Sequence, residues 1–178
     1  MTIGSEFLDQ SRKVFRSQKD LADKAIAQLS DTELLWQPDT ESNSIAINMK
    51  HLAGNMISRW TDFLTTDGEK QDRNRDSEFE IAEDDIHGLR EYWERGYSVF
   101  FNTIDSLTED DLLKKVTIRN EPHTVIQAIQ RQVSHYGYHV GQIVALAKHI
   151  NGEEWKTLSI PRGKSEEYLN QKFVAPKK

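Results

Sequence analysis

An all-α fold, a four-helix bundle, is what this chain predicts, and three observations carry the prediction. Four long stretches repeat apolar residues at a helical period. Capping and helix-stopping residues fall between them. Only one short segment alternates as a strand does. No repeat or composition shift divides the 178 residues, so one bundle domain over 1–178 is expected.

The first helix is expected from about Ser5 to Leu29, on the period set by Phe7, Leu8, Val14, Phe15, Leu21, Ala22, Ala25, Ile26 and Leu29. Ser30-Asp31-Thr32-Glu33 then reads as a capping box opening a short helix through Leu34, Leu35 and Trp36, stopped by Pro38. The second long helix begins after Asn43-Ser44 and runs to about Leu64. Thr65 to Ser77 is polar and highly charged, which predicts an exposed loop.

The third long helix is expected from about Glu83 to Ser106, carrying Ile86, Leu89, Tyr92, Trp93, Tyr97, Phe100, Phe101 and Ile104. Asp84 and Asp85 near its start suit the helix dipole. Lys115 to Arg119 alternates, which predicts a short extended piece before Asn120-Glu121-Pro122 and allows a small β-hairpin in the fold. The fourth helix runs from about Thr124 to Ile150 and is closed by Asn151-Gly152. Beyond it an extended tail containing Ile160 to Lys164 is expected to lie across the bundle.

The formal charge of -6, with no basic run or stripe, argues against nucleic-acid binding. No stretch approaches the ~20 apolar residues of a membrane span, and Met1 to Lys13 has no apolar signal core. A cytoplasmic location is the default expectation. The absence of cysteine removes disulfides, thiolate nucleophiles and cysteine-ligated metal, so any metal must use nitrogen and oxygen ligands.

His135 and His139 stand one turn apart on the fourth helix and project from one face. Between Thr124 and Ala147 the only charged side chain is Arg131, so this helix is surrounded by protein on most sides. Taken alone, the pair reads more readily as buried histidines satisfied by hydrogen bonds. Gly137 and Gly141, again one turn apart, point to close approach by another helix or by a ligand, packing being the simpler cause.

The second helix changes the weighing. Its core stripe is Ile45, Met49, Leu52, Met56, Trp60 and Phe63, and His51 is not on it. His51 stands on a line of Ser44, Asn48, Asn55, Ser58 and Asp62, neutral and short-chained until Asp62. That line fits the wall of a polar internal pocket around a ligating imidazole. It also fits a small-residue surface against a loop or a second subunit, and both readings stay open here. With His51 as a third donor, the histidines read as a metal site that keeps an open coordination position. His87 sits among charged neighbours early in the third helix, His123 precedes the fourth and His149 stands near its end, so none is a credible ligand.

The segments Asn43-Ser44-Ile45, Lys50 to Asn55 and His135 to Ile143 resemble the DinB/YfiT-like metalloenzyme family of the DinB superfamily. The likeness covers nearly the whole chain, including Ile160 to Lys164. It implies up-down-down-up connectivity, often a homodimer, and a divalent metal, zinc or nickel, held between helices. The family's metal triad falls on His51, His135 and His139. Characterised relatives include transferases and isomerases that use low-molecular-weight thiols.

The functional expectation is therefore a divalent-metal-binding, metal-dependent transferase or hydrolase of a small molecule, with a thiol as one candidate cosubstrate. The alternative is a non-catalytic stress or binding protein in which a structural metal joins two helices. No glutamate adjoins either helix-four histidine as in H-E-x-x-H, so the motif brings no general base. Asn48, Asn55, Gln132 and Gln142 are the candidates for contacts around the ligands or to substrate.

Overall fold

Reciprocal capping starts the first helix in this computed structural model, which describes residues 1–82 and 86–174. The Thr2 hydroxyl accepts the Ser5 amide and the Ser5 hydroxyl accepts the Thr2 amide, opening α1 (Ile3–Ile26). The same device, Ser30 with Glu33, opens the short α2 (Asp31–Leu34), as the sequence predicts. Ser44 caps α3 (Ile45–Trp60), in which every residue except Lys50 and Ile57 is buried. A helix buried on all sides is the centre of its bundle. It stops at Trp60 rather than at Leu64, because the chain turns through a left-handed Asp62 (φ 50°) and tucks Phe63 back into the core.

The next helix, α4 (Ile86–Ser106), buries Leu89, Trp93, Tyr97, Phe100 and Ile104. The start expected at Glu83, and the dipole role of Asp84 and Asp85, lie outside the described residues. Strands β1 (Lys115–Ile118) and β2 (Glu121–Thr124) pair antiparallel, with Val116 opposite His123. Arg119 and Asn120 form the two-residue turn, both left-handed (φ 56° and 61°), the conformation that matches strand twist. Asp67 accepts both of their amides, at 2.9 and 2.8 Å, which offsets the strain of a left-handed arginine. Thr124 and Gln127 then form the capping box of α5 (Val125–Asn151), closed by Gly152 at φ 52°.

Pairwise contacts fix the helix directions. Arg12 reaches the Ile104 carbonyl while the Trp93 indole donates to Asp23, so α1 and α4 are antiparallel. Gln18 donates to the Val133 carbonyl and Asn151 to that of Gln28, so α1 and α5 are parallel. Gly96 abuts Ala53 and Thr103 donates to the Trp60 carbonyl, so α3 and α4 are parallel. The bundle is up-down-down-up. One aromatic ring from each long helix meets at its centre: Phe15, Trp60, Phe100 and Tyr136, with Phe15–Phe100 and Trp60–Phe100 centroids 4.6 and 4.9 Å apart.

The tail departs from expectation in part. Trp155 and Leu158 pack against the core and Gln28 holds the Lys156 amide at 2.8 Å, so its first half does lie on the bundle. Beyond Lys164 it is a helix, α6 (Ser165–Val174), rather than extended chain. Acidic residues in its first turn and Lys172 in its last complement the dipole. Among the described residues no helix is long and apolar enough to cross a membrane.

Candidate metal centre

The segment after α3 builds one wall of the site. The sequence predicts an exposed loop here, yet much of it folds against α3 and the hairpin. The Ser58 hydroxyl accepts the Lys70 amide and donates to the Gly68 carbonyl, and the Gly68 amide donates to Thr117. A 3-10 turn over Asp76–Phe79 then delivers Glu78 onto α3. Gly54 makes that approach feasible, since a Cβ there would collide with the Glu78 carboxylate. Arg73 closes on Glu78 through two bonds of 2.7 Å, and both side chains are about nine-tenths buried or more.

His51, His135 and His139 converge between α3 and α5, with one potential ligand atom from each lying within 4.8 Å of the others. Every Nδ1 is taken by an oxygen acceptor. His51 Nδ1 donates to Glu78 Oε2 (2.9 Å), His135 Nδ1 to Gln132 Oε1 (3.2 Å) and His139 Nδ1 to Asn48 Oδ1 (2.7 Å). The proton therefore sits on Nδ1 in all three rings, and the Nε2 lone pairs are left for the centre. His51 Nε2 and His135 Nε2 are 3.3 Å apart. That is the edge of a tetrahedron with metal–nitrogen bonds of about 2.0–2.1 Å.

Three imidazole nitrogens gathered in this way, each with its other ring nitrogen held by an oxygen acceptor, are a donor set that fits a divalent metal. On two of the rings a proton is disfavoured. Burial, then the neighbouring His139 and His51, pull the His135 pKa down to about 3, and burial with His51 pulls His139 to about 4. Neutral imidazole, the ligating form, is thereby favoured. Burial alone would raise the Glu78 carboxyl, but the bonds from His51 and Arg73 outweigh it and hold it below the ordinary range. Glu78 is thus an anion committed to two partners.

Of the four polar candidates, Asn48 and Gln132 each hold a histidine, and Asn55 accepts from the Tyr136 hydroxyl at 3.3 Å beside them. Gln142, half-buried further along α5, takes no part in this hydrogen-bonded set. His87 is exposed, His123 lies on β2, and the His149 ring faces Trp36. Gly137 does approach α1, where a Cβ would lie 3.1 Å from Gln18 Nε2, but a Cβ on Gly141 would meet nothing within 4 Å. The expected close approach thus holds at only one of the two glycines.

Sequence reasoning missed Glu78, Arg73 and Arg59. The first two belong to a segment without periodicity, and no local pattern announces their burial. Arg59 was within reach: it continues the line His51, Asn55 at four-residue spacing and is 2% exposed.

The family model described as "Protein of unknown function (DUF1572)" matches residues 2–164. No curated protein and no solved structure matches the chain.

Proposed function

The chain belongs to the DUF1572 family, whose function is unknown, and on the strength of its own site we propose that it binds a divalent metal, zinc or nickel, as a metal-dependent enzyme acting on a small molecule. The observation that carries this reading is the hydrogen bonding of all three Nδ1 atoms to oxygen acceptors around a cluster whose donor atoms lie within 4.8 Å of one another, which leaves the Nε2 atoms for a metal. The resemblance to the DinB superfamily supports the same donor set. Three protein ligands leave a fourth position open, as in catalytic rather than structural sites. A metal bound there supplies Lewis acidity toward a water, thiol or substrate oxygen.

The chain's own residues hold and orient. Asn48, Gln132 and Glu78 lock the three imidazole planes, and Glu78 adds negative charge behind His51. Glu78 is itself bound by Arg73 and is not free to act as a general base, so it is a positioning residue. The reaction classes that suit this arrangement are transfer to a low-molecular-weight thiol and hydrolysis.

Turnover of electrophilic esters and halides, with and without an added thiol, tests the reading. Activity that requires metal and is lost in His135→Ala supports it. A metal-loaded protein inert toward the whole panel, whose melting temperature alone responds to chelation, would instead support the alternative, a structural metal pinning α3 to α5.

We also propose self-association as a homodimer through the outer face of α5. Ser134, Tyr138, Gly141 and Ala145 lie there at helical spacing without a charge, Tyr138 being 67% exposed.

A further inference from the structure

Beside the triad lies a cavity of about 170 Å³ lined by His51, His135, Asn55, Gln132 and five arginines: Arg59, Arg73, Arg75, Arg119 and Arg131. Among the described residues no carboxylate lines it. In a chain of net charge -6 this concentration of guanidinium groups beside neutral imidazoles is a local inversion of the overall charge. Two carboxylates behind the wall answer part of it. Glu78 neutralises Arg73, and Glu69 bonds both Arg73 and Arg119 at 3.0 Å. Asp67, which accepts the Arg119 and Asn120 amides, adds a third acid nearby, and the five arginines still outnumber these three carboxylates.

Arg59 is the informative member. It is 2% exposed, its Nε and Nη1 have no hydrogen-bond partner among the described residues, and a Glu69 carboxylate oxygen lies 3.9 Å from Nη2. Gly68 is what lets it lie there, since a Cβ at that position would stand 2.9 Å from Arg59 Cδ. A buried guanidinium with two unanswered nitrogens is costly in a finished structure and ordinary in a binding site that awaits an anion. Arg131, on α5, faces the same cavity from an exposed position, next to Gln132.

We infer that this cavity receives an oxyanion group of the substrate, a carboxylate or a phosphate, held by Arg59 and Arg131 with its reacting end directed at the three histidines. The inference rests on the metal-site reading for the word substrate, while the anion site stands on the arginines alone. A water occupies about 30 Å³, so the cavity accepts an anionic head of about five or six heavy atoms, with the rest of the molecule toward the opening. Guanidinium groups favour oxyanions because their paired N–H donors match two oxygens at once. The substrate class is thereby narrowed to small molecules that carry an acidic group close to the bond that reacts.

The test is titration of the full chain with inorganic phosphate and, separately, acetate, at low ionic strength, read by calorimetry, with metal content measured on each sample. Arg59→Met and Arg131→Gln are compared with wild type and with His139→Ala, which removes a metal ligand that does not line the cavity. Saturable millimolar or tighter binding, weakened about tenfold or more in Arg131→Gln and kept in His139→Ala, is the expected result. Arg131 is exposed, so this variant folds even where Arg59→Met does not. The tighter of the two ligands identifies the group. Binding lost in His139→Ala but unchanged in Arg131→Gln would assign the anion to the metal and overturn the inference, as would no binding of either ligand. A protein that stays metal-free after incubation with zinc or nickel and still binds the anion keeps this site while removing the metal reading.

Discussion

His51 and Glu78, 27 residues apart in the chain, meet through a 2.9 Å hydrogen bond with both side chains 6% exposed. The bond fixes the His51 tautomer, and Arg73 fixes Glu78 in turn. Glu78→Gln keeps an acceptor and removes the charge. It is expected to weaken metal binding about 10–100-fold in competition with a chromophoric chelator. Glu78→Ala removes one of the two carboxylates on the buried Arg73, leaving it Glu69 alone, and should cost up to about 3–5 kcal/mol in urea unfolding. Unaltered metal affinity in Glu78→Gln would show that the carboxylate does not tune the site.

Protonation of His135 and His139 gives the metal-free protein a pH signature. The folded-state pKa values of His135 and His139, about 3 and about 4, lie below the ordinary 6.5. As pH falls from 6.5 the unfolded chain takes up these protons first, so stability is full above that value and declines toward pH 3. Between pH 7 and 5, where few carboxylates titrate, the urea midpoint of chelated protein should fall. His135→Gln should make that slope shallower, and a slope identical to wild type would contradict the assignment.

Gly96 sets the spacing of the two parallel helices. A Cβ there would lie 2.7 Å from Ala53 Cα, backbone that cannot step aside. Gly96→Ala is expected to cost about 1–3 kcal/mol by forcing α3 from α4. Gly88→Ala, on the same helix with none of the described residues within 4 Å, should instead stabilise by up to about 1 kcal/mol. Equal effects at the two positions, measured by urea unfolding, would refute the contact.

Self-association predicts a sedimenting species of twice the 20.6 kDa chain mass at micromolar concentration. A charge placed on the α5 face, Tyr138→Glu, should convert it to one chain without loss of helical content. A wild-type protein that sediments as one chain removes the proposal.

Helix periods made the bundle legible, and the one-turn spacing of His135 and His139, with His51 off its own apolar stripe, made three of the site's residues legible. The parts that escaped have physical reasons. Glu78 and Arg73 reach the site through a segment whose order comes from tertiary bonds, to Ser58, Thr117 and the hairpin turn, and such bonds leave no local period. Pro122 hid β2, although an edge strand tolerates it. Asp62 prolonged the apparent second helix because its left-handed backbone is a tertiary outcome. Gln142 stands in line with the histidines at helical spacing, yet the hydrogen bonds that hold the imidazoles come from Glu78, Gln132 and Asn48.

The most direct test of the central claim is X-ray absorption spectroscopy, with elemental analysis, on protein purified without an affinity tag. About one zinc or nickel per chain is predicted, with three imidazole nitrogens at about 2.0–2.1 Å in the zinc form plus at least one light-atom ligand, and with the signal lost in His51→Ala. Metal below a tenth of an equivalent after incubation with either ion, or a bound metal whose spectrum lacks imidazole scattering, would contradict the account.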